Sequence, residues 1–181
     1  RDVQGSRGLG DVYKRQAFYD GSSINFYDAG GGCNATSLIA DVVYHEYGHA
    51  INDWFYQSYF YNFANGAMNE GYADFWAMSL GDLAEIGQGF YTDSQDGIRI
   101  YDEDPKVYPE DIVGEVHSDG EIICGAWYDT HLLLGGDWDV TMGLFVDAFP
   151  GLQATAGNGQ EGQAFTDVLL DVLQADDDDD D

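Results

Sequence analysis

The stretch "SLIADVVYHEYGHAINDWF" (37–55) constrains this chain most, because it asks one helix both to pack and to carry chemistry. Leu38, Ile39, Val42, Val43, Ala50 and Trp54 suit a long, largely buried helix over about 37–55, with Thr36 or Ser37 as N-cap. Inside it stand His45, Glu46 and His49. Residues four apart stack on one helix face, so the two histidines can offer imidazole nitrogens to one metal ion. Glu46 is turned about 100° away, which aims it at a water on the open side of such an ion, the place of a general base. The plainer alternative is two polar residues that happen to line a buried helix.

A catalytic zinc takes three protein ligands and keeps a position for water. "NEGYAD" (69–74) offers the third. Glu70 opens a second expected helix, about 68–80, after the turn "FANGA", so that helix can pack on the first. Asp74 lies one turn further on the same face, where a carboxylate can accept the spare N–H of a metal-bound histidine. Taken alone, both acids read as solvated charges. Further helices are expected at about 120–134, 140–149 and 162–173. A strand is expected at "SINFYD" (23–28), and 87–117 is mostly loop. The expected class is α+β: a mainly helical lobe with a short hairpin or edge strand at its start.

Charge narrows the function classes. The 181 residues carry 34 Asp+Glu against 6 Lys+Arg, a net charge of −28. Such a surface repels nucleic acid and anionic membrane, so neither is an expected partner, and no apolar run is long enough to span a bilayer. The balance suits a secreted protein in salty or calcium-rich water, or one from a salt-adapted organism. Four of the six bases fall in residues 1–16, leaving only Arg99 and Lys106 up to Ala175. That shift marks 1–16 as a non-native or misread tail, 17–175 as the folded lobe and 176–181, all aspartate, as an acidic tail or the start of a calcium loop. Cys33 and Cys124 could pair in an exported protein or stay free thiols.

HEYGH followed by Glu70 in "NEGYAD" resembles the gluzincin metallopeptidases of the thermolysin and fungalysin-like group. Three further segments continue the resemblance in order: "AFYDGSSINFYDAGGG", "GIRIYDEDPKVYPEDI" and "EVHSDGEIICGAWYD". Together they run from about residue 16 to 134. The resemblance implies a partial catalytic lobe of a zinc endopeptidase acting on a protein or peptide; a monomer is expected. It implies one catalytic zinc on His45, His49 and Glu70, with Glu46 as base and proton shuttle and Asp74 orienting His45. His117 and a tyrosine (Tyr61, or Tyr59 if the turn is one residue longer) would stabilise the oxyanion. Arg99 would hold a substrate carbonyl, although an ion pair is the commoner fate of an arginine. Ala17 would offer backbone to a substrate lying extended along the "SINFYD" edge. Asp111 and Glu115 are the candidates to prop His117. A structural calcium is also implied, with Asp82 and Glu85 as candidate ligands. The rivals are a gluzincin aminopeptidase, whose amino-terminus-gripping motif is not seen, and a non-catalytic acidic metal-binding secreted module. His131 reads as structural.

Overall fold

The computed structural model describes residues 17–59, 63–151 and 156–177. The expected tail at 1–16, the tyrosine at Tyr61 and the last four aspartates lie outside the described residues.

The chain enters through a hairpin. β1 (Phe18–Tyr19) pairs antiparallel with β2 (Ile24–Asn25), Phe18 opposite Asn25 and Tyr19 opposite Ile24. Asp20 closes the turn: its Oδ1 accepts the backbone N–H groups of Ser22 and Ser23, an Asx-type arrangement that needs no apolar packing. The strand expected over 23–28 is therefore real but only two residues long.

α1 (Ala40–Ser58) follows a 3₁₀ turn at Thr36–Leu38. Neither Thr36 nor Ser37 caps it. Ile39 stands at the N-cap without a side-chain bond, and the Thr36 hydroxyl accepts Tyr27 N–H instead, at 3.0 Å. The buried Asp41 in the first turn accepts Val42 N–H and, across the fold, the N–H groups of Gly87 and Gln88. That carboxylate ties the second hairpin, β3 (Glu85–Ile86) with β4 (Arg99–Ile100), onto α1.

α2 (Gly66–Gly81) is the buried axis. Asn65 caps it, its side chain accepting Met68 N–H. Met68, Tyr72, Phe75, Ala77 and Met78 are all fully buried. α2 packs between α1 and α3 (Val116–Leu133), and glycines permit the approach. A Cβ on Gly48 of α1 would stand 2.9 Å from Ala73 Cα of α2; a Cβ on Gly71 of α2 would stand 2.5 Å from the Gly120 carbonyl oxygen of α3. Gly120 thus lies inside α3, at a helix contact, and not at the helix start expected from sequence. α4 (Trp138–Ala148) and α5 (Glu161–Asp177) complete the lobe. The last helix runs through Asp176 and Asp177, so the acidic run begins as helix.

Two apolar clusters result. The larger gathers Tyr56, Tyr72, Phe75, Trp127, Phe145 and Phe149 among the helices; the smaller packs Ala17, Cys33, Ile39, Val42 and Phe90 beneath the hairpins. Cys33 and Cys124 belong to different clusters and are buried free thiols, which removes the disulfide alternative. Two other expectations fail: Leu38 and Trp54 are each 82% exposed. The described part is α+β and mainly helical, with two two-stranded antiparallel sheets. None of its helices is long and apolar enough to cross a membrane.

Candidate metal centre

α1 and α2 bring three ligand atoms together, the outermost pair, on His45 and Glu70, lying 25 positions apart in the chain. His45 Nε2 lies 3.1 Å from His49 Nε2 and 3.4 Å from Glu70 Oε2, and His49 Nε2 lies 3.5 Å from Glu70 Oε1. Among the described residues these three form the group able to hold a metal ion. Donors about 2.0–2.1 Å from a tetrahedral zinc stand roughly 3.3–3.5 Å apart, so the spacing fits such an ion. Glu70 Oε2 is buried and has no hydrogen-bond partner among the described residues. Buried acceptors without donors are rare, and a cation would satisfy this one.

The backs of the ligands are held. His45 Nδ1 meets Asp74 Oδ1 at 2.6 Å. A carboxylate only accepts, so His45 carries hydrogen on Nδ1 and turns Nε2 to the other two ligands. His49 Nδ1 meets Asn69 Oδ1 at 3.2 Å. Burial disfavours charge on His45, yet Asp74 and Glu70 outweigh it and push its pKa up to about 10. Burial likewise favours a protonated Glu70, but the positive charge of His49 and His45 beside it holds it well below the usual carboxylate range.

Asp74 serves more than His45. Its oxygens also accept Arg99 Nε and Nη2 and the Tyr101 hydroxyl. Arg99 is 6% exposed and lines a small cavity behind His45 and Glu46, not the open cleft. Sequence assigned it a substrate carbonyl; in the fold two of its three guanidinium nitrogens form a fork on Asp74.

The open side of the centre is a cleft of about 330 Å³ lined by Ala17, Phe18, Tyr19, Glu46, Asp53 and His117, with the three ligands at its floor. Glu46 is buried and its Oε2 has no hydrogen-bond partner among the described residues. Burial raises its carboxyl above the ordinary range, although His45 and His49 pull the other way. The rim is β1, and among the described residues β1 pairs only with β2. Residues 23–28, where the substrate edge was expected, do not line the cleft, whereas residues 17–19 do.

His117 lines the same cleft, Nε2 3.6 Å from Glu70 Oε2. It occupies the first turn of α3, not the loop before it. Glu115, the helix N-cap, bonds His117 Nδ1 at 2.7 Å with one oxygen and accepts Ser118 N–H with the other. Of the two candidate props, Glu115 is the one in place; Asp111 turns to Val107 N–H.

No family model matches the chain, and no curated protein matches it.

The centre therefore rests on its own geometry. Tyr59 ends α1 exposed, against Phe55, and does not line the cleft. Asp82 accepts the Trp138 indole N–H and Glu85 accepts Gly97 N–H, and neither belongs to the group able to hold a metal ion among the described residues. His131 stacks on Trp138 and meets Thr141, a packing role. Sequence reading missed Asn69, Asn52, Tyr101 and Asp41. Asn69 carried a signal, its place beside Glu70; Tyr101 had none, because its partner Asp74 is 27 residues away.

Proposed function

We propose that this chain is the zinc-holding lobe of a thermolysin-like metalloendopeptidase. One observation carries the reading: beside three converging ligand atoms, Glu46 is buried with an oxygen that has no partner among the described residues, in a cleft that His117 also lines. A site that merely held metal would need neither group.

His45, His49 and Glu70 would hold the ion. Bound there, zinc polarises a carbonyl and lowers the pKa of a water. Glu46 removes the proton from the attacking water, and its raised carboxyl suits a base that must hand that proton on to the departing nitrogen. Asp74 and Asn69 keep the ligand rings facing inward. His117 bears a carboxylate partner on Nδ1; when its ring carries both protons, Nε2 donates to oxygen developing negative charge. A peptide in extended form adds to the edge of β1 away from β2 through main-chain hydrogen bonds, with Ala17 at its start. Arg99 acts from behind, as counter-charge to Asp74.

The test is zinc content with peptide cleavage on the same preparations. The wild type should hold about one zinc per chain and cut peptides internally. Glu70→Ala should lose the metal. Glu46→Gln should keep the metal and lose cleavage by at least about 100-fold. A folded wild type without zinc overturns the site. Full activity in Glu46→Gln overturns the mechanism. Release of terminal residues alone would make it an aminopeptidase. Zinc bound with no hydrolysis in any assay would make the lobe a metal-binding module.

A further inference from the structure

His49 differs from His45 in what stands behind it. His45 is backed by a carboxylate, which can only accept. His49 is backed by Asn69, an amide with an acceptor on one end and a donor on the other. Turned the other way, Asn69 would give His49 Nδ1 a donor, force the ring hydrogen onto Nε2 and take that nitrogen away from the metal. Something must fix which end of Asn69 faces the histidine.

The structure assigns that task to Trp76 acting through Asn52: we propose that a one-way hydrogen-bond relay, Trp76 to Asn52 to Asn69, sets the metal-binding tautomer of His49. Trp76 Nε1 donates to Asn52 Oδ1 at 3.1 Å. Indole N–H has no acceptor character, so the oxygen of Asn52 must face it. The Asn52 amide nitrogen must then face Asn69, and it donates to Asn69 Oδ1 at 2.8 Å, with the Asn69 carbonyl oxygen at 3.4 Å. Both acceptors at that end exclude the reversed amide. Asn69 Oδ1, fixed by this donor, takes its second bond from His49 Nδ1 at 3.2 Å. His49 therefore carries its hydrogen on Nδ1, and its Nε2 lone pair faces His45 Nε2 and Glu70.

Burial makes the relay stiff. Asn52 is fully buried on the inward face of α1. The Trp76 ring is clamped edge-on by Phe145 and Phe149, so the indole cannot swing to another acceptor without opening the helix core. Trp76 and Asn52 touch neither the ligand atoms nor the cleft; they are positioning residues.

The relay rests on the metal-site reading for its purpose, but its chemistry can be read without metal. The experiment uses the full chain, stripped with a chelator and shown folded by a cooperative melt. The hydrogen on each ring nitrogen of His49 is read from ¹⁵N shifts at a pH where the ring is neutral, and zinc affinity is measured separately. The wild type should show hydrogen on Nδ1. Trp76→Phe keeps a ring in the aromatic clamp and removes the donor, so it should show a mixture of tautomers and bind zinc about 10–100-fold more weakly. Asn52→Asp offers oxygen on both sides. Asn69 must then turn its amide nitrogen toward residue 52 and His49, and the hydrogen should move to Nε2. Hydrogen on Nε2 in the wild type, or a wild-type pattern in Trp76→Phe, overturns the relay. If Asn52→Asp does not fold, Trp76→Phe decides alone. A wild type with the expected tautomer that binds no zinc keeps the relay and refutes the metal reading instead.

Discussion

At the scale of residues, Asp74 shows how much one carboxylate can organise. Its two oxygens take four donors: one from His45, two from Arg99 and one from Tyr101. That fills the roughly four acceptor positions of a carboxylate. The ion pair holds Asp74 well below the usual carboxylate range although burial alone would raise it. Asp74→Asn would leave the Arg99 guanidinium buried without a counter-charge. Breaking a buried pair in this way costs about 3–5 kcal/mol, against about 1 kcal/mol for a lost neutral hydrogen bond. Urea unfolding of the metal-free variant should show a loss in the larger range; a loss below about 1 kcal/mol would mean that Arg99 finds water or another acid. The pairing of His45, His49 and Glu70 was legible in sequence, because two ligands share a helix face and the third opens the next helix. The orienting residues were less so. Asp74 could be placed from its one-turn spacing to Glu70, but Tyr101 and Arg99 reach it from a hairpin that no local pattern ties to α2.

At the scale of elements, the helix pattern misled in an informative way. The inward face of α1 is Val42, His45, Glu46, Gly48, Asn52 and Tyr56, more polar than apolar. Trp54 and Leu38 looked like core because apolar residues normally face inward; here much of the inward face is taken by His45, Glu46 and Asn52, and these two are left outside. Glycine misled too. Within a helix it reads as a breaker, so α3 was expected to begin at Gly120, four residues late. Its use is contact. Gly71 and Gly120 let α2 and α3 touch backbone to backbone, and the same crossing sets Glu70 beside His117. In Gly71→Ala the new methyl would meet Ile123 Cγ2 at 2.4 Å and the Gly120 carbonyl oxygen at 2.5 Å. The side chain could yield, the backbone oxygen could not, so the helices must separate. Overpacking of this kind costs about 1–3 kcal/mol, more than the gain in helix propensity of about 1 kcal/mol. The variant should be net less stable to urea, and under the proposed function peptide cleavage should fall further than zinc content, because Glu70 and His117 move apart. An alanine variant as stable as the wild type would show that α3 slides without strain.

At the scale of the whole molecule, the two basic side chains beyond residue 16 are both engaged. Arg99 is buried on Asp74, and Lys106 bonds Glu121 and Ser118. Of the 34 acidic residues two fall in residues 1–16 and six are the aspartates of 176–181, so the lobe itself carries 26 against these two bases, and their mutual repulsion opposes the compact state. Salt acts on this in two directions. Screening weakens the Lys106–Glu121 pair, but that pair is partly exposed and such pairs are worth about 0–1 kcal/mol. Screening also relieves repulsion among many acids, and raising sodium chloride from about 0.01 M to about 1 M shortens the Debye length from about 30 Å to about 3 Å. The second effect involves far more charges, so it decides the sign. The urea midpoint of the metal-free chain at neutral pH should rise steadily with sodium chloride, most steeply below about 0.15 M, where the Debye length is still about 8 Å or more. A midpoint that falls with salt would mean that the acids are spaced widely enough not to repel, and that the few ion pairs dominate the electrostatics of the fold.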